Sequence, residues 1–66
     1  MEKWTGRVVM ALHMNGIQQK ELAEELGCGR EHLNMVLNGH RKSPMIEKTA
    51  MDAINRIVER RKSEVV

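Results

Sequence analysis

The chain has 66 residues, about half the usual length of one domain, so residues 1–66 are predicted to form a single domain. Eleven basic and nine acidic residues give a net charge of +2, which alone does not establish a nucleic-acid partner. Trp4 is the only aromatic residue, which argues against single-strand binding by stacked rings. No apolar run is long enough to span a membrane, and the lone Cys28 cannot form an internal disulfide. These features predict a cytoplasmic protein.

Glycines divide the chain into predicted helices. Gly16, Gly27 and Gly39 each follow a segment with apolar residues at helical spacing, where a left-handed residue ends a helix. No segment alternates strictly enough for a strand. The sequence therefore predicts a compact all-α fold of four helices, or five if the last one breaks. The predicted helices cover about residues 5–15, 19–26, 30–38 and 44–62.

The first and last helices carry start signals. Thr5 is the predicted N-cap of the first helix, with Trp4 and Val9 packed across it as a hydrophobic staple. Ser43 followed by Pro44 predicts the start of the last helix, because serine caps a helix and proline fits its first position.

Cations gather in the second half of the last helix. Arg56 is spaced four residues from Asp52, which predicts an ion pair. Arg60, Arg61 and Lys62 are interpreted with it as a solvated helix end, where cations suit the negative end of the dipole. A second phosphate-binding patch is the alternative interpretation.

The segment from residue 16 to residue 39 carries the functional signal. Only residues 27–29 separate its two helices, and so short a connection with a left-handed glycine forces a sharp turn. This is a helix-turn-helix arrangement over about residues 18–38. With Leu33, Val36 and Leu37 facing inward, the second helix of the pair exposes Arg30, Glu31, Asn34, Met35 and Asn38.

Four of these exposed residues suit base edges in the DNA major groove. Arg30 can donate two bonds to guanine, and Glu31 can accept one from cytosine. Asn34 can pair with adenine or bind a phosphate, and Met35 can contact a thymine methyl. The alternatives are a solvated polar surface and, for Met35, the edge of the core.

This segment resembles the DNA-binding domains of the Cro/CI-like phage repressors, the XRE family. The resemblance is closest over residues 16–44. The matching residues are Gln19, Glu21, Leu22, Ala23, Leu26, Gly27, Arg30, Leu33, Val36, Asn38 and Gly39. It implies a lambda-repressor-like fold with the second helix of the motif in the major groove. It also implies a dimer bound to an inverted repeat.

The resemblance implies base contacts at positions 30, 31 and 35, and contacts with the DNA backbone at Gln19 and, after that helix, at Asn38, His40 and Lys42. Gln19 fits a backbone contact because a helix N-terminus favours a phosphate. Arg41 and Lys42 form a basic patch that adds salt-sensitive affinity. Gly29 stands where the family usually has a serine or threonine N-cap. The predicted backbone contacts are Gln19, Gly29, Asn38, His40, Arg41 and Lys42.

The sequence thus predicts a sequence-specific transcriptional regulator that binds double-stranded DNA. The expected form is a small Cro-type phage or prophage repressor, a homodimer on an inverted-repeat operator. Its regulation is expected to come from its own concentration or from a partner protein. The predicted dimer surface lies on the last helix, at Met51, Ile54, Val58 and Val65. The alternative is a protein-interaction module on the same fold, such as an antitoxin or an anti-repressor.

Catalytic and metal-binding patterns are missing from the sequence. Cys28 lies in the turn and is predicted to pack as a small apolar side chain, with redox sensing as the alternative. A metal site of Cys28, His32, His13 and His40 would follow no zinc spacing. No nucleophile–base pair or phosphate loop occurs either. The sequence therefore predicts no enzyme activity, no cofactor, no metal and no small-molecule ligand.

Overall fold

Four helices make up the part of the chain that the computed structural model describes, residues 3–64. They are α1 (Lys3–Met14), α2 (Gln19–Leu26), α3 (Arg30–Leu37) and α4 (Pro44–Glu64). Within residues 3–64 no strand is present, and α4 runs unbroken for 21 residues. The all-α prediction is confirmed, in its four-helix form. None of the described helices is both long and apolar enough to cross a bilayer.

Each of the first three helices ends where a glycine adopts a left-handed conformation. After α3, Gly39 has a φ of 81°, and the backbone N–H of His40 donates to the carbonyl of Met35 at 2.8 Å. This is the closing bond of a Schellman motif, which satisfies a carbonyl that the helix leaves without a partner. Gly16 and Gly27 end α1 and α2 with φ values of 62° and 76°. The predicted helix stops are confirmed.

The helix starts agree with the sequence prediction at α4 and differ at α1. The Ser43 Oγ accepts a hydrogen bond from the N–H of Ile46 at 3.3 Å, so the serine caps α4 as predicted. The Thr5 cap is wrong, because α1 already includes Lys3. Thr5 is 2% exposed inside α1, and Val9 faces solvent at 40% exposure. The α1 helix continues upstream of the threonine, so Thr5 has no helix start to cap.

One hydrophobic cluster joins the four helices. Long α4 packs against both α1 and α2, while α3 packs against α2. Leu22 of α2 and Leu33 of α3 are completely buried, so they fix the two helices of the motif against each other. The buried apolar residues are Val8, Leu12, Ile17, Leu22, Ala23, Leu33, Val36, Leu37, Ile46, Ala50, Ala53, Ile54 and Ile57.

Arginines of α4 bind carboxylates of α2. The Nε of Arg56 lies 2.9 Å from one Glu25 oxygen, and the Nη2 of Arg60 lies 2.6 Å from the other. Arg56 therefore pairs across helices with Glu25, which corrects the predicted pairing with Asp52. The side chains of Arg56, Arg60 and Lys62 are nevertheless exposed, as the interpretation of a solvated helix end expects. The hydrogen bonds from Arg60 and Arg56 hold the pKa of the Glu25 carboxyl below its usual value.

Candidate nucleic-acid interface

The outer face of α3 is polar and open to solvent. Leu33, Val36 and Leu37 point into the core with at most 2% exposure, which fixes the rotation of the helix about its axis. The N-cap, Gly29, has an extended backbone with φ −77° and ψ 151° and is itself exposed. The exposed side chains of this face are Arg30, Glu31, Asn34, Met35 and Asn38.

An open depression lies between the starts of α2 and α3. It is lined by Gln18, Gln19, Lys20, Arg30, Glu31 and Asn34. Two helix N-termini meet there, and each carries a partial positive charge together with N–H groups that have no partner inside the helix. Lys20 and Arg30 add two full positive charges to this edge, against one acidic side chain, Glu31. The depression is therefore suited to an anion such as a DNA phosphate.

Lys20 also lines this depression, although it was not predicted from the sequence as a DNA-contacting residue. The available signal was its position, since Lys20 follows Gln19 at the second residue of α2. A cation so close to a helix N-terminus opposes the dipole, and an anion bound in the depression would offset that repulsion.

Two asparagines of α3 are tied to each other. The Nδ2 of Asn38 donates to the Oδ1 of Asn34 at 3.0 Å. The oxygen of Asn34 keeps a second lone pair, and its own amide keeps two hydrogens. The two-bond contact with adenine is therefore still chemically available to Asn34, and Asn38 orients it.

The loop after α3 presents basic residues to solvent. The N–H groups of His40 and Arg41 both donate to the carbonyl of Met35, at 2.8 and 3.3 Å, which turns the chain sharply away from α3. His40, Arg41 and Lys42 are all exposed. Arg41 and Lys42 also line a depression that Trp4 lines as well. The basic patch thus follows directly on the exposed face of α3.

Among the described residues, those predicted for the dimer surface range from exposed to buried. Met51 is 40% exposed and Val58 is half-buried, so both offer apolar surface. Ile54 is 1% exposed and belongs to the hydrophobic cluster. The prediction of Ile54 as a dimer-surface residue is wrong, because the core already covers that side chain. Val65 lies outside the described residues.

A methionine groove lies between α1 and α4, defined by Met10, Met14 and Met51 with Ala11 and Arg7 at its sides. Met10 and Met14 are 58% and 76% exposed, and the sequence did not assign them to a partner surface. The available signal was their spacing, because two methionines four residues apart lie on one face of α1. The groove extends the apolar surface that Met51 begins.

Cys28 packs against the hydrophobic cluster from the turn of the motif. It is half-buried, and burial raises the pKa of its thiol. The thiol form that this favours is a poor nucleophile and a poor metal ligand. Among the side chains of the described residues, no group of three or more potential ligands is placed to hold a metal ion.

A family model for the helix-turn-helix matches residues 11–48, more than half of the chain. The matched range contains α2, the turn and α3 entire, together with the end of α1 and the start of α4. No curated protein and no solved structure matches the chain. The family match agrees with the Cro/CI-like resemblance of residues 16–44. The chain belongs to the XRE-type helix-turn-helix family of DNA-binding transcription regulators.

Proposed function

We propose that this chain is a sequence-specific repressor of the Cro type, which places α3 in the major groove of an operator. The observation that carries the proposal is the exposed face of α3. Arg30 and Asn34 supply donors, and Glu31 supplies an acceptor, for the edges of base pairs. The start of α3 enters first, so Arg30 and Glu31 lie deepest, and Met35 follows as an apolar contact.

The contacts with the DNA backbone come from both sides of α3. Gln19 and the N-terminus of α2 bind one phosphate, and the exposed backbone of Gly29 lies beside the same depression. Beyond α3, Asn38 and the exposed residues 40–42 bind a second stretch of backbone. These contacts set the orientation of the protein and carry no sequence information of their own.

Two copies bind an inverted repeat in this proposal. A single small module buries little DNA surface, and specific affinity generally requires more. The methionine groove, with Met51 and Val58 on α4, is the surface proposed for the second copy. The phage or prophage origin, the repressor role and the cytoplasmic location are proposed on the family resemblance.

The experiment that tests the proposal is selection from a pool of random DNA duplexes, followed by sequencing of the retained molecules. Enrichment of an inverted repeat with half-sites about 34 Å apart, or a multiple of that distance, supports a dimeric regulator. Enrichment of one half-site alone removes the dimer and keeps sequence-specific binding. Retention without enrichment, lost at moderate salt, rejects the proposal.

The methionine groove favours one second candidate, a protein-interaction module on the same fold. Flexible, polarisable methionines are typical of surfaces that bind partner helices. Such a module would bind a protein partner without DNA and with little dependence on salt. Lack of enrichment in the selection experiment would favour this candidate.

A further inference from the structure

We propose that Arg61 is a positioning residue for DNA binding, because it holds the corner between α1 and α2 and so directs the start of α2 toward a phosphate. This inference rests on the proposed function and assigns a role in it to a residue of α4. Arg61 lies 42 residues along the chain from Gln19, whose phosphate contact it is proposed to support.

One guanidinium joins three parts of the chain at this corner. The Nη1 of Arg61 donates to the carbonyl oxygens of Asn15 at 2.9 Å and Gly16 at 3.3 Å. Its Nη2 donates to both oxygens of the Glu21 carboxylate, at 3.0 and 2.7 Å. Arginine suits this position because its planar fork binds several acceptors at once, which a lysine ammonium does with less geometric control.

Each of these acceptors borders the short segment between α1 and α2. The carbonyls of Asn15 and Gly16 follow directly on the last residue of α1, Met14, where the helix dipole favours a cation. Glu21 lies in the first turn of α2, and its carboxylate also accepts the backbone N–H of Gln18 at 3.4 Å. A continuous path of polar contacts therefore runs from Arg61 through Glu21 to the residue before Gln19.

The start of α2 depends on such contacts for its direction. With eight residues, α2 is too short to be stable alone, so packing and tertiary contacts determine its orientation. Ile17 anchors the corner in the core at 6% exposure, whereas Gln18 is exposed. Gln18 and Gln19 line the depression that Arg30 shares, so a tilt of α2 changes the distance between its N-terminus and α3.

Arg56 provides a matched control in the same pair of helices. It binds Glu25, four residues farther along α2 and about 6 Å from Glu21 along the helix axis. Arg61→Met and Arg56→Met each remove one positive charge from α4 and one ion pair with α2. Only Arg61→Met releases the corner that precedes Gln19.

The test measures the dissociation constant of each variant of the 66-residue chain for the duplex chosen by selection, across a range of salt concentrations. We expect Arg61→Met to bind about three- to tenfold more weakly than Arg56→Met, the size of effect typical of coupling through a contact network. The salt slopes of the two variants should agree, because neither arginine neutralises a phosphate directly.

A double variant separates positioning from direct contact. If Arg61 acts through the start of α2, Gln19→Ala should weaken binding less in the Arg61→Met background than in the wild type. The difference should exceed the factor of about two within which independent sites are additive. Arg61→Lys should recover part of the lost affinity.

Three results would overturn the role of Arg61 while leaving the proposed function intact. They are equal affinities of Arg61→Met and Arg56→Met, full additivity with Gln19→Ala, and a salt slope reduced by about one in Arg61→Met alone. If Arg61→Met does not fold, as judged by circular dichroism, Glu21→Met removes the acceptor oxygens of the same contact from α2 and takes its place, with Glu25→Met as the control of equal charge. If the wild type enriches no duplex from the random pool, the proposed function and this role of Arg61 are rejected together.

Discussion

Arg30 occupies the first position of α3, where the positive end of the helix dipole repels a cation. In the proposed function, a partner that presents hydrogen-bond acceptors, as guanine does, offsets this repulsion. We expect Arg30→Ala to cost about 1–3 kcal/mol on the selected duplex and to relax the preference at one base pair. Binding to the selected duplex and to its single-base variants measures both effects.

Lys42 supplies the comparison for Arg30, because it is exposed in the loop after α3 and is proposed to contact the DNA backbone. We expect Lys42→Ala to weaken binding to all duplexes alike and to reduce the salt slope by about one. A titration at several salt concentrations measures that slope. If Arg30→Ala weakens all sequences alike, as Lys42→Ala should, the assignment of Arg30 to a base is wrong.

Two glycines give opposite expectations for the same substitution. Gly27 ends α2 with a φ of 76°, and a Cβ there would meet no atom within 4 Å, so the cost of alanine is conformational. We expect Gly27→Ala to lower the free energy of unfolding by about 1–2 kcal/mol. Gly6 lies inside α1 with equally open surroundings. Because glycine is less favourable than alanine inside a helix, Gly6→Ala should raise the free energy of unfolding by about 0.5–1 kcal/mol. Urea unfolding measures both, and a change of the same sign in the two variants would contradict the argument.

At the scale of elements, the sequence predicted what is decided locally. A glycine after an apolar-periodic segment and Ser43 before Pro44 act within one turn, so three helix ends and the start of α4 were predictable. The rotation of α3 was also predictable, because the spacing of its apolar residues determines which side faces the core. Thr5 shows the limit of a local rule, since a capping residue type alone does not determine where a helix begins.

Contacts between distant segments were not predictable from spacing. Asp52 lies at the right separation for Arg56 on one helix, yet the carboxylate of Glu25 on α2 is nearer in the fold. The contacts of Arg61 and the position of Lys20 were not predictable either, because the residues around them belong to other helices. Sequence patterns identify which residues are exposed, and the packing of the helices decides which of them meet.

The ion pairs of Glu25 on α2 with Arg56 and Arg60 on α4 predict how the stability of the fold changes with pH. Glu25 has a lowered pKa in the folded protein, because Arg60 and Arg56 donate hydrogen bonds to its carboxylate. The Glu25 carboxylate therefore binds a proton more readily in the unfolded chain. The free energy of unfolding rises with pH between the lowered pKa of the folded protein and the ordinary value. The stabilisation is present above the ordinary value of 4.5 and is lost as the pH falls through the lower folded value.

We therefore expect Glu25→Gln to reduce the free energy of unfolding at neutral pH and to make it less dependent on pH below about 4.5. Urea unfolding at a series of pH values measures both effects. Glu24→Gln, the same change at the preceding, exposed residue of α2, is the control and should behave more like the wild type. An unchanged acid dependence in Glu25→Gln would show that the bridge does not contribute to stability.

The whole molecule carries two candidate surfaces formed by different helices. Residues of α2 and α3 line the depression assigned to DNA, and residues of α1, the turn that follows it and α4 line the methionine groove. The two linings have no residue in common. Substitutions in the groove therefore leave every proposed DNA contact in place, so the contribution of a second copy can be measured separately from DNA contact.

Met51 and Met45 allow that measurement with the same side chain on one helix. They are 40% and 59% exposed, but only Met51 lines the groove. In a two-fold symmetric dimer each copy contributes its own Met51, so Met51→Ser should cost about 1–3 kcal/mol on a duplex with two half-sites. Binding to a duplex with one half-site should stay within a factor of about two, because the DNA contacts are unchanged. Gel-shift titrations of both duplexes measure these affinities, and Met45→Ser should leave both nearly as in the wild type. Equal effects of Met51→Ser on the one-site and two-site duplexes would place the second copy on another surface.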